Sequence, residues 1–205
     1  LLRHWAAAAG RDPERQLQWL VVPTTRMADR VKDGVIDGFC SESPWPQAAQ
    51  LNGHGEILFS DPDYWTLKPE KILGMRAAWA EANPDATIAL TRALLRAGQW
   101  ASEPAHREDL IRILARRASV NAPWKAIEMA LDGSGLTFDP QTATFPWISH
   151  AKWFMGQMVR WGMLSPEHDF DQLARHVDRP DLWREAAAGI GLNCPLADEK
   201  TEGGH

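Results

Sequence analysis

The sequence predicts an α/β first third followed by a mainly helical remainder, and two patterns carry that prediction. Up to about residue 60, short apolar runs rich in β-formers alternate with single helices about 20 residues apart, which implies crossover units and a parallel sheet. Beyond Lys71 the apolar residues recur at helical spacing instead.

Taken in order, Leu1 to Ala9 is alanine-rich and helical, and stops at Gly10 before the breaker Asp12-Pro13. Leu17 to Val22 (LQWLVV) reads as a buried strand ended by Pro23. Thr24 or Thr25 caps the next helix, whose Met27, Ala28 and Val31 share one face before Gly34 ends it. Val35 to Cys40 is the second strand. Ser43 then caps a helix with Pro44 at its first position, closed by Gly53, and Glu56 to Phe59 is the third strand. Lys71 to Met75 is extended and apolar. Asn83-Pro84 opens a long helix to about Ser102 with Ile88, Ala89, Leu94 and Leu95 on its buried face. Further helices follow over 107–117, 123–131, 149–164 and 181–188, whereas the tail after Asn193 is polar and its TEGGH end is expected to be disordered.

Composition excludes several function classes. The 205 residues, 44% hydrophobic, suffice for one or two cores. With 22 basic against 27 acidic residues and no basic stripe, the chain lacks the electrostatic footprint of a nucleic-acid binder. Arg112, Arg116 and Arg117 read as a solvated helix face. Cys40 and Cys194 are far apart and without a CxxC partner, so neither a zinc site nor a cofactor is expected, and Cys40 is expected to be a small buried residue. No Walker loop, GxSxG elbow, HExxH or GxGxxG occurs, so nothing nominates an enzyme. No run of 18 apolar residues occurs. The chain opens within an apolar helical stretch and reads as a fragment, with any targeting signal upstream. Trp79, Trp100, Trp153 and Trp161 fall on apolar helix faces and are expected in the core. In SHAKWF, His150, Trp153, Phe154 and Gln157 share a packing face.

Local chemistry favours anion binding. A small oxyanion needs donors, which backbone N–H groups supply where a loop enters a helix, aided by the helix dipole. Pro23-Thr24-Thr25 and Ser41-Glu42-Ser43 are two such entries at the carboxyl ends of predicted strands, the edge where open α/β sheets bind ligands. Taken alone, both also read as ordinary capped helix starts, and Lys71 as a surface lysine.

Three segments give a wider reading: DGFCSESPW (37–45), KPEKILGMRAAWAEANP (68–84) and FPWISHAKWFMGQMVRWG (145–162). In order and spacing they resemble the second lobe of the nitrate-binding solute receptors of ABC importers, of the NrtA and CmpA type, and the related NasS-type nitrate sensors. The resemblance implies a type II periplasmic-binding fold, a bilobed architecture that closes over its anion. Residues 1–70 would form the α/β second lobe with its parallel sheet, 71–195 a crossover strand and the mainly helical part of the first lobe, and 196–205 a disordered tail. It implies that Lys71 of the PEK segment contacts the ligand, that Pro23 and Thr24 match the loop after a valine-proline strand end, and that the backbone of Cys40, Ser41 and Glu42 lines the site. The family's binding histidine, tryptophan and glutamine would fall upstream of Leu1. Helices after Pro84 would then expose the apolar faces of Ile88, Leu94, Trp153 and Phe154. Where the family carries valine, glycine and glutamate before the proline, this chain carries Ser41, Glu42 and Ser43, which puts an acidic side chain where glycine lets backbone approach the anion.

The implied function is a solute-binding protein for a small oxyanion, nitrate first, with nitrite and bicarbonate beside it and an ABC permease as partner. The alternative is a NasS-type sensor controlling an RNA-binding antiterminator, toward which the FPW and SHAKWF wording leans. The compartment is periplasmic or membrane-attached in the first case and cytoplasmic in the second. A third reading, an enzyme of the same fold, would need Cys40 as its reactive group.

Overall fold

The computed structural model describes residues 2–60, 63, 65–133 and 135–201. The chain divides into two compact units, Leu1–Tyr64 with Asp109–Leu136, and Trp65–Glu108 with Thr137–His205. Residues 109–136 group with the first unit although they follow residues 65–108 of the second in sequence. Contiguity in sequence does not decide this; the apolar face of the 109–136 segment does, because it completes the first unit's core.

In the first unit, α1 (Leu2–Ala8) ends at Gly10, whose φ of +73° suits a residue without Cβ. The expected breaker at Asp12-Pro13 is instead the start of a one-turn helix, α2 (Pro13–Gln16). Asp12 caps it by accepting from the Glu14 and Arg15 N–H groups. Arg3 pairs with Glu14 at 2.6 Å and lies over the Trp19 ring, whose Nε1 donates to the Pro13 carbonyl. Next come α3 (Thr24–Lys32) and α4 (Trp45–Leu51), which pack on each other, and α4 also packs on the later α8 (Trp124–Gly133). The core is Ile111, Ala122 and Ile127, with Trp45, Leu114, Val120 and Leu131 against it. Ile111 and Leu114 come from α7 (Arg107–Leu114), whose Arg112 is exposed and ion-paired with Asp109, a solvated face as expected.

The second unit is built on α6 (Pro84–Ser102), preceded by α5 (Ala77–Ala82) and packed against α12 (Pro180–Ala188) and the one-turn α9 (Pro140–Ala143). Leu95, Ala186 and Ala187 have no exposure, and Ile88, Phe145 and Trp183 complete the cluster. Trp183 Nε1 donates to Thr144 Oγ1 at 2.9 Å, so the buried indole is satisfied. A second cluster joins α10 (Ile148–Arg160) to α11 (Phe170–Val177) through Ile148, Met155 and Ala174. Trp65, His150, Trp153 and Phe154 form a ring cluster, with Trp65 and Trp153 centroids 4.8 Å apart. The packing face expected for SHAKWF is therefore present. Of the four residues expected to be uncovered, Ile88 is buried, Trp153 and Phe154 are half-buried in this cluster, and Leu94 alone is exposed. Trp79, expected in the core, is exposed, because α5 is too short to bury a whole face.

The four predicted strands, 17–22, 35–40, 56–59 and 71–75, enter no ladder among the described residues. Extended conformation is a local preference, whereas a strand needs hydrogen bonds to a partner distant in sequence. Val21, Leu58 and Ile72 are 104%, 85% and 81% exposed. The tail also differs from expectation. Arg184 donates to the carbonyls of Pro195 and Ala197 at 2.9 and 3.1 Å and pairs with Asp198 at 2.7 Å. The Ile148 N–H donates to the Asp198 carbonyl, and Lys152 pairs with Glu199. Residues 196–201 are therefore docked, by polar groups that composition alone marks as solvent-facing; 202–205 lie outside the described residues. No described helix is long and apolar enough to cross a membrane.

Candidate anion-binding site

Five of the six expected ligand residues belong to the first unit and Lys71 to the second. Pro23 is the residue before α3, with φ −56° and ψ 134°, and no side chain caps the helix. The expected capping by Thr24 or Thr25 is absent because the helix begins at Thr24 itself. Of the first four N–H groups, that of Arg26 donates to the Pro23 carbonyl at 2.8 Å, and no side chain satisfies the others. A helix start in that state offers donors and a positive dipole end to an anion. Met27, Ala28 and Val31 are half-buried on the face that meets α4, which holds this start in place, while Pro23 itself is exposed.

Cys40, Ser41 and Glu42 lead into α4. Cys40 is an exposed thiol, not the small buried residue expected, since the neighbouring Asp37 and Gly38 are exposed as well. The Ser41 hydroxyl donates to the Glu42 carbonyl at 3.4 Å, and that carbonyl also accepts from the Trp45 N–H at 3.3 Å. The Ser43–Pro44 bond is cis, and α4 starts at Trp45 with no side-chain cap, one residue later than the expected start at Pro44. Ser41, Glu42 and Ser43 are all half-buried.

Lys71 is exposed, and its Nζ pairs with Glu70 Oε1 at 2.9 Å. Exposed pairs of this kind contribute roughly 0–1 kcal/mol, so the ammonium can exchange Glu70 for another anion at little cost. A residue not singled out in the sequence is Gln47. It is 7% exposed, its Nε2 donates to Ser43 Oγ at 3.3 Å, and its Oε1 has no donor. Its four-residue spacing from Ser43 on a helix was the available signal. Among the described residues no group of three or more His, Cys, Asp or Glu converges to hold a metal ion.

The nitrate/nitrite binding protein NrtA of Synechocystis sp. is 33% identical over 207 residues, which is 92% of this chain and 46% of that protein. The bicarbonate-binding protein CmpA of Synechococcus elongatus is 30% identical over 222 residues, 98% of this chain and 49% of CmpA. This chain spans about half the length of the curated relatives it matches. The crystal structure of the periplasmic nitrate-binding protein NrtA from Synechocystis PCC 6803 superposes with a TM-score of 0.92 at 30% identity, covering 98% of this chain and 57% of that one. That match supports a type II periplasmic-binding-protein-like fold for this chain. The sequence model of the NMT1-like family matches residues 1–115, and the chain belongs to that family.

Proposed function

We propose that this chain is part of the solute-binding component of an ABC importer, a binding protein and not an enzyme, whose ligand is a small monovalent oxyanion. Nitrate stands first, with nitrite and bicarbonate beside it, as in the names of the relatives. The observation that carries the reading is the uncapped start of α3, set in a chain that follows the NrtA backbone over nearly its whole length. In this reading Lys71, Pro23, Thr24, Cys40, Ser41 and Glu42 are the ligand-binding residues, an ABC permease is the partner, and the compartment is periplasmic or membrane-attached. The apolar, β-branched runs 17–22, 35–40 and 56–59 hold the strand positions of the parallel sheet.

Lys71→Ala in the full-length protein tests it. A hydrogen bond to a charged group is worth about 1.5–3 kcal/mol, and calorimetric affinity for nitrate or bicarbonate should fall by that amount with the melting curve unchanged. Unaltered affinity shows Lys71 to be a surface residue. A NasS-type cytoplasmic sensor with an antiterminator partner is the second reading, favoured by the FPWISHAKWF wording of residues 145–154. A secretion or lipoprotein signal encoded ahead of this chain decides for transport.

A further inference from the structure

The second unit holds two separate apolar clusters, and the chain passes from one to the other within one residue. Trp147 packs with Phe145 on the core of α6 and α12, whereas Ile148, without exposure, belongs to the core of α10 and α11. α6 packs on α12 and α10 on α11, with no broad packing between the two pairs among the described helices. What crosses between them is polar. Asp198 Oδ1 pairs with Arg184 of α12 at 2.7 Å and its Oδ2 with Arg175 of α11 at 3.3 Å, so a single carboxylate joins the two pairs. Glu199 pairs with Lys152 of α10 at 2.8 Å and with Arg175 at 3.7 Å. Arg184 also donates to the Pro195 and Ala197 carbonyls, and the preceding Cys194 packs on the α6–α12 core, which anchors the segment at that end. Leu196 is fully exposed and adds no apolar hold.

We propose that residues 195–200 are an ionic strap that closes the α10–α11 pair onto the α6–α12 core, and that loosening it lets this pair open while the core stays folded. The strap also does for α10 what its own N-cap does not. Trp147 offers no side-chain cap, so the first N–H groups of that helix need acceptors from elsewhere. The Ile148 N–H donates to the Asp198 carbonyl at 2.9 Å, which brings the acidic pair 198–199 to the positive end of the helix dipole. The Lys200 N–H donates to Ser149 Oγ at 3.3 Å, and its ammonium lies over the Trp147 ring. Once the strap leaves, the Ile148 N–H loses its acceptor at the residue that anchors the α10–α11 core, so fraying of the first turn and opening of the pair are coupled. Exposed ion pairs are individually weak and screened by salt, which makes such a strap releasable without unfolding. The Trp65 ring, packed on Trp153 and Phe154, remains as an apolar hold on α10.

Hydrogen exchange followed by mass spectrometry on the full-length protein tests this. Asp198→Asn combined with Glu199→Gln keeps the size of both side chains and removes both charges. Amides over 148–177 should then exchange faster by about tenfold, the scale on which several exposed pairs act together, while those over 84–102 and 180–188 keep their wild-type rates. Unchanged exchange over 148–177 in the folded double variant overturns the strap. An equal rise over 84–102 and 180–188 overturns it too, because the pair then opens only with the whole unit. Should the double variant not fold, wild type carried from about 0.01 M to about 1 M salt, which shortens the Debye length from about 30 Å to about 3 Å, decides by the same two criteria.

Discussion

The two units treat their apolar residues in opposite ways. In the second, Leu95, Ile148, Ala174, Ala186 and Ala187 have no exposure, and the tail is held down by Arg184, Arg175 and Lys152. In the first, the core is the small Ile111, Ala122 and Ile127 cluster, while Leu20, Val21, Val35 and Leu58 stand in solvent. All five of the expected ligand residues outside the second unit lie on or beside these uncovered stretches. Stability is concentrated where helices interlock, and the candidate binding groups lie at the uncapped start of α3 and in the loop before α4. Binding groups need that incompleteness, because a donor already satisfied by the protein has nothing to offer an anion.

The largest expected effect breaks the comparison if it fails. Leu95→Ala empties a fully buried position between α6 and α12 and should destabilise by about 2–5 kcal/mol in urea unfolding. The matching truncation Val21→Ser, at a residue fully in solvent, should stay within about 0.5 kcal/mol. A large loss at Val21 would show that run 17–22 is covered in the working protein.

A change of intermediate size sharpens the picture of α6. Replacing a mid-helix glycine by alanine ordinarily stabilises a helix by about 1 kcal/mol. At Gly98 an added Cβ would meet the Phe138 carbonyl oxygen at 2.6 Å, and that atom is backbone that cannot turn away. Gly98→Ala should therefore destabilise by about 1–3 kcal/mol, the cost of overpacking, which thermal melting would register as a lowered midpoint.

The smallest effect concerns charge. Asp178 follows α11 at its negative dipole end, and burial pushes its carboxyl above the usual carboxylate range. A raised value means that the folded state disfavours the ionised form, so the associated stability is present at low pH and is lost as pH rises through the raised value. Asp178→Asn should gain less than about 1 kcal/mol at neutral pH, and the gain should vanish near pH 3, where the wild-type carboxyl is protonated as well. The carboxyls of Asp171 and Asp181 move the other way. Hydrogen bonds from Lys152 and Arg179 respectively hold them below the usual range, so their contribution is present above the ordinary carboxylate value and lost as pH falls. A gain from Asp178→Asn that persisted in acid would refute this account of the Asp178 carboxyl.

The sequence by itself determined most of the helices, because their signals are local. Pro84 at the first position and the spacing of Ile88, Ala89, Leu94 and Leu95 fixed α6, although Ile88 and Leu95 are buried and Ala89 and Leu94 exposed, and the Met27, Ala28 and Val31 face with Gly34 fixed α3. α11 was legible too and was missed: Asp169 caps it, and Leu173 and Val177 follow at helical spacing. The segments 37–45, 68–84 and 145–162 likewise carried the family, since a run of words in fixed order needs no fold to be recognised. Only the tertiary structure decided the rest. The grouping of 109–136 with the first unit, the docking of residues 196–201 under Arg184, and the exposure of the apolar runs each depend on partners distant in sequence. Composition marks Asp198 as acidic and Gln47 as polar. That one carboxylate joins α11 to α12 while the other side chain is buried against Ser43 follows from burial and hydrogen-bond geometry, which only the packed chain defines.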